Sequence, residues 1–298
     1  MEWLLLALLW PLMGAVVNIF EKVIRTNYLK DSLVISMMWG LSVFIILLLH
    51  PFINVVSLPF MSALAAIGVG ALSLFAFIPY YYALSFEEIS RVVPMWQVSS
   101  VFVVFGAALL LGETLTGPQY VALALIFTGT FLLALKRTNT FFRITPAVSF
   151  VMFGGFIYAI VHILLKFTIA ANNPLAFTFW IYVGHLLAAV LLYMKRRVRR
   201  RVYLAFRRIT LKGAVVVMLA LTLGPVVTIT LTLAMQGGTA SVVNVIGNTK
   251  SFFVLLYSTL LSLWFPHVLK ENIKPYVLYK KISAIALILA GVAILQFI

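Results

Sequence analysis

The chain has no cysteine and only seven acidic residues among 298, against 22 Lys and Arg. Without cysteine there is no disulfide framework, no thiolate metal site and no thiol nucleophile. There is also no His-Glu-x-x-His helix, no Gly-x-Ser-x-Gly elbow and no pair of intramembrane aspartates, so the chemistry of an intramembrane enzyme has nothing to work with. No filter motif recurs as a channel would require. Neither a resident metal nor a cofactor is expected. The acids, Glu2, Glu21, Asp31, Glu87, Glu88, Glu113 and Glu271, all fall in loops or near the ends of predicted spans. The charge expected deepest in the structure is therefore positive.

What fills the sequence is apolar: 64% hydrophobic residues, 10% charged residues and a mean hydropathy of +1.13. Soluble domains hold about 45–50% apolar residues. The chain reads as an all-α polytopic membrane protein. Apolar stretches broken by turn or charge signals predict ten transmembrane helices over about 2–20, 32–49, 58–84, 89–111, 118–135, 146–170, 174–194, 211–235, 239–265 and 277–297. Most connections are short, which forces neighbouring helices antiparallel. The opening MEWLLLALLWPLMGAVV lacks a basic leader and a small-residue cleavage site, so it reads as a first span rather than a signal peptide. The net charge of +15 reflects basic loops, and no nucleic-acid partner is expected.

Internal similarity divides the chain. A shift of 144 lays VVNIFEK (Val16 to Lys22) on IVHILLK (Ile160 to Lys166), and a shift of 151 lays Trp96 and Gln97 on Gly247 and Asn248. A shift of 162 lays ALIFTG (Ala124 to Gly129) on ALILAG (Ala286 to Gly291). The expected organisation is two inverted five-helix repeats, residues 1–144 and 145–298, since an odd number of spans per half turns one copy upside down. Ten spans in this arrangement, with LLLGETLTGPQYVALALIFTGTFLLAL (Leu109 to Leu135) closing the first half and KKISAIALILAGVAIL (Lys280 to Leu295) the second, resemble the EamA-type members of the drug/metabolite transporter superfamily. VIGNTK (Val245 to Lys250) is also similar to the ninth-helix Gly-Asn…Lys stretch of the sugar-phosphate and nucleotide-sugar branch, with Ser251 where that branch has a second basic residue. In that branch the lysine contacts the anionic part of the substrate.

Lys250 stands alone inside the apolar run Thr239 to Phe265, too deep for its stem to reach either headgroup layer. A charge there costs roughly 2.5–3.5 kcal/mol, so it should face a wet cavity or hold buried carbonyls. Asn244 and Asn248 accompany it, and Trp96 and Gln97 stand at equivalent positions in the first half. In the sixth span Tyr158 and His162 share one face; His162 corresponds to Asn18 and reads equally as a substrate contact or a satisfied interior histidine. Tyr81, between Tyr80 and Tyr82, fits either a cavity wall or an interfacial aromatic belt. Lys22 and Lys166, at helix ends, are expected to snorkel to the membrane interface. These residues outline a substrate site for a small anionic or zwitterionic metabolite moved by alternating access, or for the headgroup of a lipid phosphate moved by a flippase. Besides that small molecule, anionic membrane lipids at Lys195 to Arg208 are expected partners. Whether the chain is a monomer or a homodimer stays open.

The odd-numbered loops carry 3, 1, 3, 9 and 4 basic residues, 20 of the 22, which makes them cytoplasmic in a cell-membrane protein and puts both termini outside. The resemblance implies the opposite orientation. A single cysteine at Asn139 or Arg199 should therefore be shielded from a membrane-impermeant thiol reagent in intact cells, and one at Asn54 or Gly237 labelled. The reverse pattern would show that the family orientation holds.

Overall fold

In the computed structural model the described residues are 2–48, 57–111, 116–137, 142–169, 172–207, 209–237, 243, 246–247 and 249–296. They fold as helices throughout, apart from a short hairpin of β1 (Leu135–Arg137) on β2 (Phe142–Ile144), in which Leu135 pairs with Ile144. The helices are α1 (Glu2–Val23), α2 (Ser32–Met38), α3 (Ser42–Leu47), α4 (Phe60–Phe86), α5 (Ile89–Trp96), α6 (Val98–Leu111), α7 (Gly117–Ala134), α8 (Ala147–Ile169), α9 (Pro174–Tyr193), α10 (Arg196–Arg207), α11 (Leu211–Gly237), α12 (Lys250–Trp264) and α13 (Pro275–Gln296). Five described stretches are long and apolar enough to cross a bilayer: Trp3–Tyr28, Phe60–Phe86, Ala147–Ile169, Pro174–Tyr193 and Leu211–Gly237. Large apolar side chains such as Leu5, Phe60, Leu191 and Leu211 point outward, as a lipid solvent permits.

Local chemistry explains the boundaries. Asp31 caps α2 by accepting from Leu33 N and Val34 N, and Asn173 caps α9 by accepting from Leu175 N, with Pro174 in the first turn where its missing donor costs nothing. Three departures from the expected pattern matter for the site. The first helix does not stop near residue 20 but continues through a π-helical turn, Ile24–Tyr28. The fourth span breaks at Gln97, three residues after Pro94. The basic run after α9 is a helix, α10, not a loop.

Packing rests on close crossings. α4 lies against α8 and α9, α1 against α11 and α12, and α7 against α13. A Cβ added at Gly129 would lie 2.6 Å from the Ala284 carbonyl oxygen, and one at Gly291 would lie 2.5 Å from that of Ala122. These contacts allow no larger side chain, and backbones that approach so closely gain packing where lipid offers no hydrophobic drive.

One end of the bundle is fastened by charge. Lys281 Nζ donates to Glu88 Oε2 at 2.6 Å and to Glu271 Oε2 at 2.8 Å, and Ser90 Oγ donates to the same Glu271 oxygen at 2.5 Å. Arg91 pairs with Glu87 at 2.8 Å and donates to the Leu133 carbonyl. Lys22, rather than snorkelling, is turned back to cap α4, donating to the carbonyls of Leu84 and Glu87 at 2.8 Å each. Together these bonds tie the ends of α1, α4 and α7 to the start of α5 and to α13. Burial pushes the Glu88 carboxyl up, but the bond and charge of Lys281 outweigh it and hold it below its ordinary value. Its contribution to stability is thus present at neutral pH and lost as pH falls through that lowered value. Burial raises the Glu271 carboxyl instead.

Lys281 and Glu271 are 2% and 6% exposed, so removing one partner leaves the other charge buried alone. Lys281→Met should lower stability by about 3–5 kcal/mol, and pairing it with Glu271→Gln should recover most of that loss. Thermal unfolding of the three proteins in one detergent decides this, and equal melting of the single and double variants would show that the charge pair is not the fastening.

Candidate functional site

Spacing along α1 builds the first wall of the site. Trp10, Gly14, Val17 and Glu21 fall at i, i+4, i+7 and i+11, one stripe of a helix, and all four line a cavity of about 170 Å³. That volume far exceeds the roughly 10–15 Å³ one water needs. The middle portions of α4, α8, α9 and α11 complete the wall, with the end of α5 and the start of α12. The site therefore lies near the centre of the long apolar helices.

Glu21 is the residue that the sequence misplaced. Because α1 runs on through Tyr28, Glu21 sits inside the helix, 4% exposed, instead of at its end. Its carboxylate accepts from Tyr81 Oη at 2.6 Å, from Asn18 Nδ2 at 2.7 Å and from Tyr80 Oη at 3.4 Å. Tyr81 is fully buried and also accepts from Trp39 Nε1 at 2.6 Å, so it holds Glu21 from behind; it does not line the cavity. A buried carboxylate survives in such a place because donors surround it. The stripe that leads to it was visible in the sequence, but the helix end placed near residue 20 hid it.

Lys250 opens α12 and lines the same cavity. Its Nζ lies 5.5 Å from the centroid of the Trp10 ring, a cation–π contact, and its stem crosses Gly14. Among the described residues its ammonium has no hydrogen bond to a carbonyl. Lys250 is the first residue of α12, directly after the turn in which Thr249 N donates to the Ile246 carbonyl. Trp10 Nε1 and Asn18 Oδ1 are buried without a partner in the structure, and both belong to cavity-lining residues. The cavity thus presents an ammonium, a carboxylate, an unused donor and an unused acceptor.

Aromatic rings form its apolar side. Phe77 stacks on Trp96 at 6.4 Å between centroids, Trp96 meets Tyr158 at 5.7 Å, and Tyr158 meets His162 at 4.4 Å. Of the residues singled out in the sequence, Lys250, Trp96, Tyr158, His162 and Asn18 come together here. Gln97 does not: it is buried at the helix break and donates to Ser251 Oγ at 3.3 Å, linking the fourth span to α12. Asn244 and Asn248 lie outside the described residues. The seventh span contributes as well: Tyr182 and His185, one and four residues beyond Ile181, line the cavity, with His185 Nδ1 3.2 Å from the Ile181 carbonyl. No group of three or more His, Cys, Asp or Glu suited to a metal occurs among the described residues.

No curated protein matches the chain. Solved structures do: one, described only as the crystal structure of a protein, aligns with a TM-score of 0.60 at 16% identity, covering 97% of this chain and 93% of that one. At that identity the likeness concerns the fold alone. Residues 1–135 match the EamA-like transporter family.

Proposed function

We propose that the chain is a secondary transporter that moves a small zwitterionic or anionic solute by alternating access, with residues 1–144 and 145–298 acting as two inverted repeats around the central cavity. The observation that carries this reading is the presence of Glu21 and Lys250 in one cavity between the middle portions of the long apolar helices. Isolated charges at that depth are costly, and they are kept where they contact ions or substrates. Lys250 suits a carboxylate or phosphate, while Glu21 suits an ammonium. A carboxylate beside the lysine makes a lipid phosphate the poorer fit, which weighs against the flippase reading.

Reciprocal contacts support the repeats. The shift of 162 that relates ALIFTG to ALILAG carries Ala122 to Ala284 and Gly129 to Gly291, and the two glycines pack on one another's helices at those alanines. Likewise, the Trp96 ring packs on Gly154 and the Trp10 ring on Gly247. The shifts of 144 and 151 relate Trp10 to Gly154 and Trp96 to Gly247, so the bulky and small partners exchange places between halves. On this reading the bonds around Lys281 close the cavity on the side of the odd-numbered loops.

A thermal-shift screen of the purified protein against amino acids, sugar phosphates, nucleotides and lipid phosphates identifies the solute class, since a ligand at about 100 times its dissociation constant stabilises by roughly 2.7 kcal/mol. Lys250→Gln should keep the fold yet lose most affinity and transport, because a charge-assisted bond is about twice as strong as a neutral one. Lys250→Arg should fall between. For a zwitterion Glu21→Gln should weaken binding as well, whereas for a pure anion it should strengthen it. Normal affinity in a destabilised Lys250→Gln protein would remove Lys250 from the site.

A further inference from the structure

Helix α10 reads RRVRRRVYLAFR, six arginines with no acid. Arg196 and Arg200, and Arg197 and Arg201, are like charges one turn apart, an arrangement that destabilises a helix by itself. Two contacts hold it in place. Val198 is buried and Val202 partly buried against Met37, Leu74, Ala188 and Ala189. Arg201 grips Asp31 with two bonds, Nε to Oδ2 at 2.5 Å and Nη2 to Oδ1 at 2.7 Å, and Asp31 is itself the cap of α2. The helix is thus fixed in rotation.

That rotation leaves a charged face looking away from the protein. At 100° per residue Val198, Val202 and Ala205 share the docked side, while Arg196, Arg200, Tyr203 and Arg207 fall opposite, all exposed. Leu204 and Phe206 flank them and are exposed as well. The helix is joined directly to the end of α9 and closely precedes α11, two of the helices long enough to span, so it lies at the membrane boundary. Arginines interleaved with exposed Tyr, Leu and Phe at that level are the composition of an interfacial helix. Guanidinium forks match phosphate oxygens, and among the described residues only Arg201 of this helix forms an ion pair with an acid.

We propose that the outer face of α10, through Arg196, Arg200 and Arg207, is a docking surface for the phosphates of anionic lipid headgroups in the membrane around the protein. Because α10 is seated on α2, α4 and α9 together, bound lipid braces that corner of the bundle. It also assigns this face to the leaflet richer in anionic lipid, in keeping with the basic loops beside it.

The test uses the full chain in nanodiscs of phosphatidylcholine, with and without phosphatidylglycerol. The wild type should retain phosphatidylglycerol several-fold over phosphatidylcholine on delipidation and melt higher in its presence, with the gain shrinking as salt rises. The triple variant Arg196→Gln, Arg200→Gln, Arg207→Gln should lose both effects while melting normally in phosphatidylcholine alone. The corresponding Arg→Lys triple should keep the preference in part. Equal lipid retention by the wild type and the Gln triple would overturn the proposal, as would a wild type without preference. So would inorganic phosphate reproducing the stabilisation in phosphatidylcholine, since the site would then take a free anion.

Discussion

The carboxylate of Glu21 is the constraint around which this helical bundle is arranged. An acid at the level of the bilayer core demands donors on every side, and it receives them from Asn18 on its own helix and from Tyr80 and Tyr81 on α4. Those bonds fix α1 against α4, while Lys250 reaches the same cavity along Gly14 and Trp10 of α1. Each charge would be costly alone; within one cavity they attract one another.

Close packing keeps that cavity open. Rings that would otherwise fill it are drawn into the gaps over glycines, Trp10 over Gly247, Trp96 over Gly154 and Trp39 over Gly224. Interiors are bistable rather than soft, so two bodies packed in this way can exchange one set of contacts for another but deform little within themselves. The ends differ in kind. Around Lys281 the bundle is fastened by ion pairs, whereas Thr178 meets Thr232 through hydroxyls at 3.2 Å and Gln236 reaches the Asn172 carbonyl at 3.1 Å near the other end.

Much of this was legible in the sequence because lipid imposes long apolar helices and makes a lone charge conspicuous. Lys250, Trp96, Tyr158, His162 and Asn18 stood out that way, and they line one cavity. Glu21 was missed because hydropathy ends the first span where charges begin, while the backbone hydrogen bonds carry the helix on through a π turn. Tyr81 was read as cavity wall or belt, and it is neither: its hydroxyl supports Glu21. The charge run after α9 looked like a solvated loop, since nothing in a hydropathy profile weighs Val198 and Val202 one turn apart against six arginines. The ion pairs around Lys281 join residues 193 and 10 positions apart, and no local pattern announces such partners.

The central claim is that one cavity in the bilayer core is reached by water from each side in turn. Thr228 lines it, and the chain carries no native cysteine, so Thr228→Cys gives a reporter with little change in volume. In sealed vesicles it should react with a membrane-impermeant thiol reagent from either side, one at a time, with substrate slowing both reactions. A thiol at Thr228 that stays unreactive from both sides, while cysteines at Arg199 and Gly237 are labelled from their own, would contradict alternating access through this cavity.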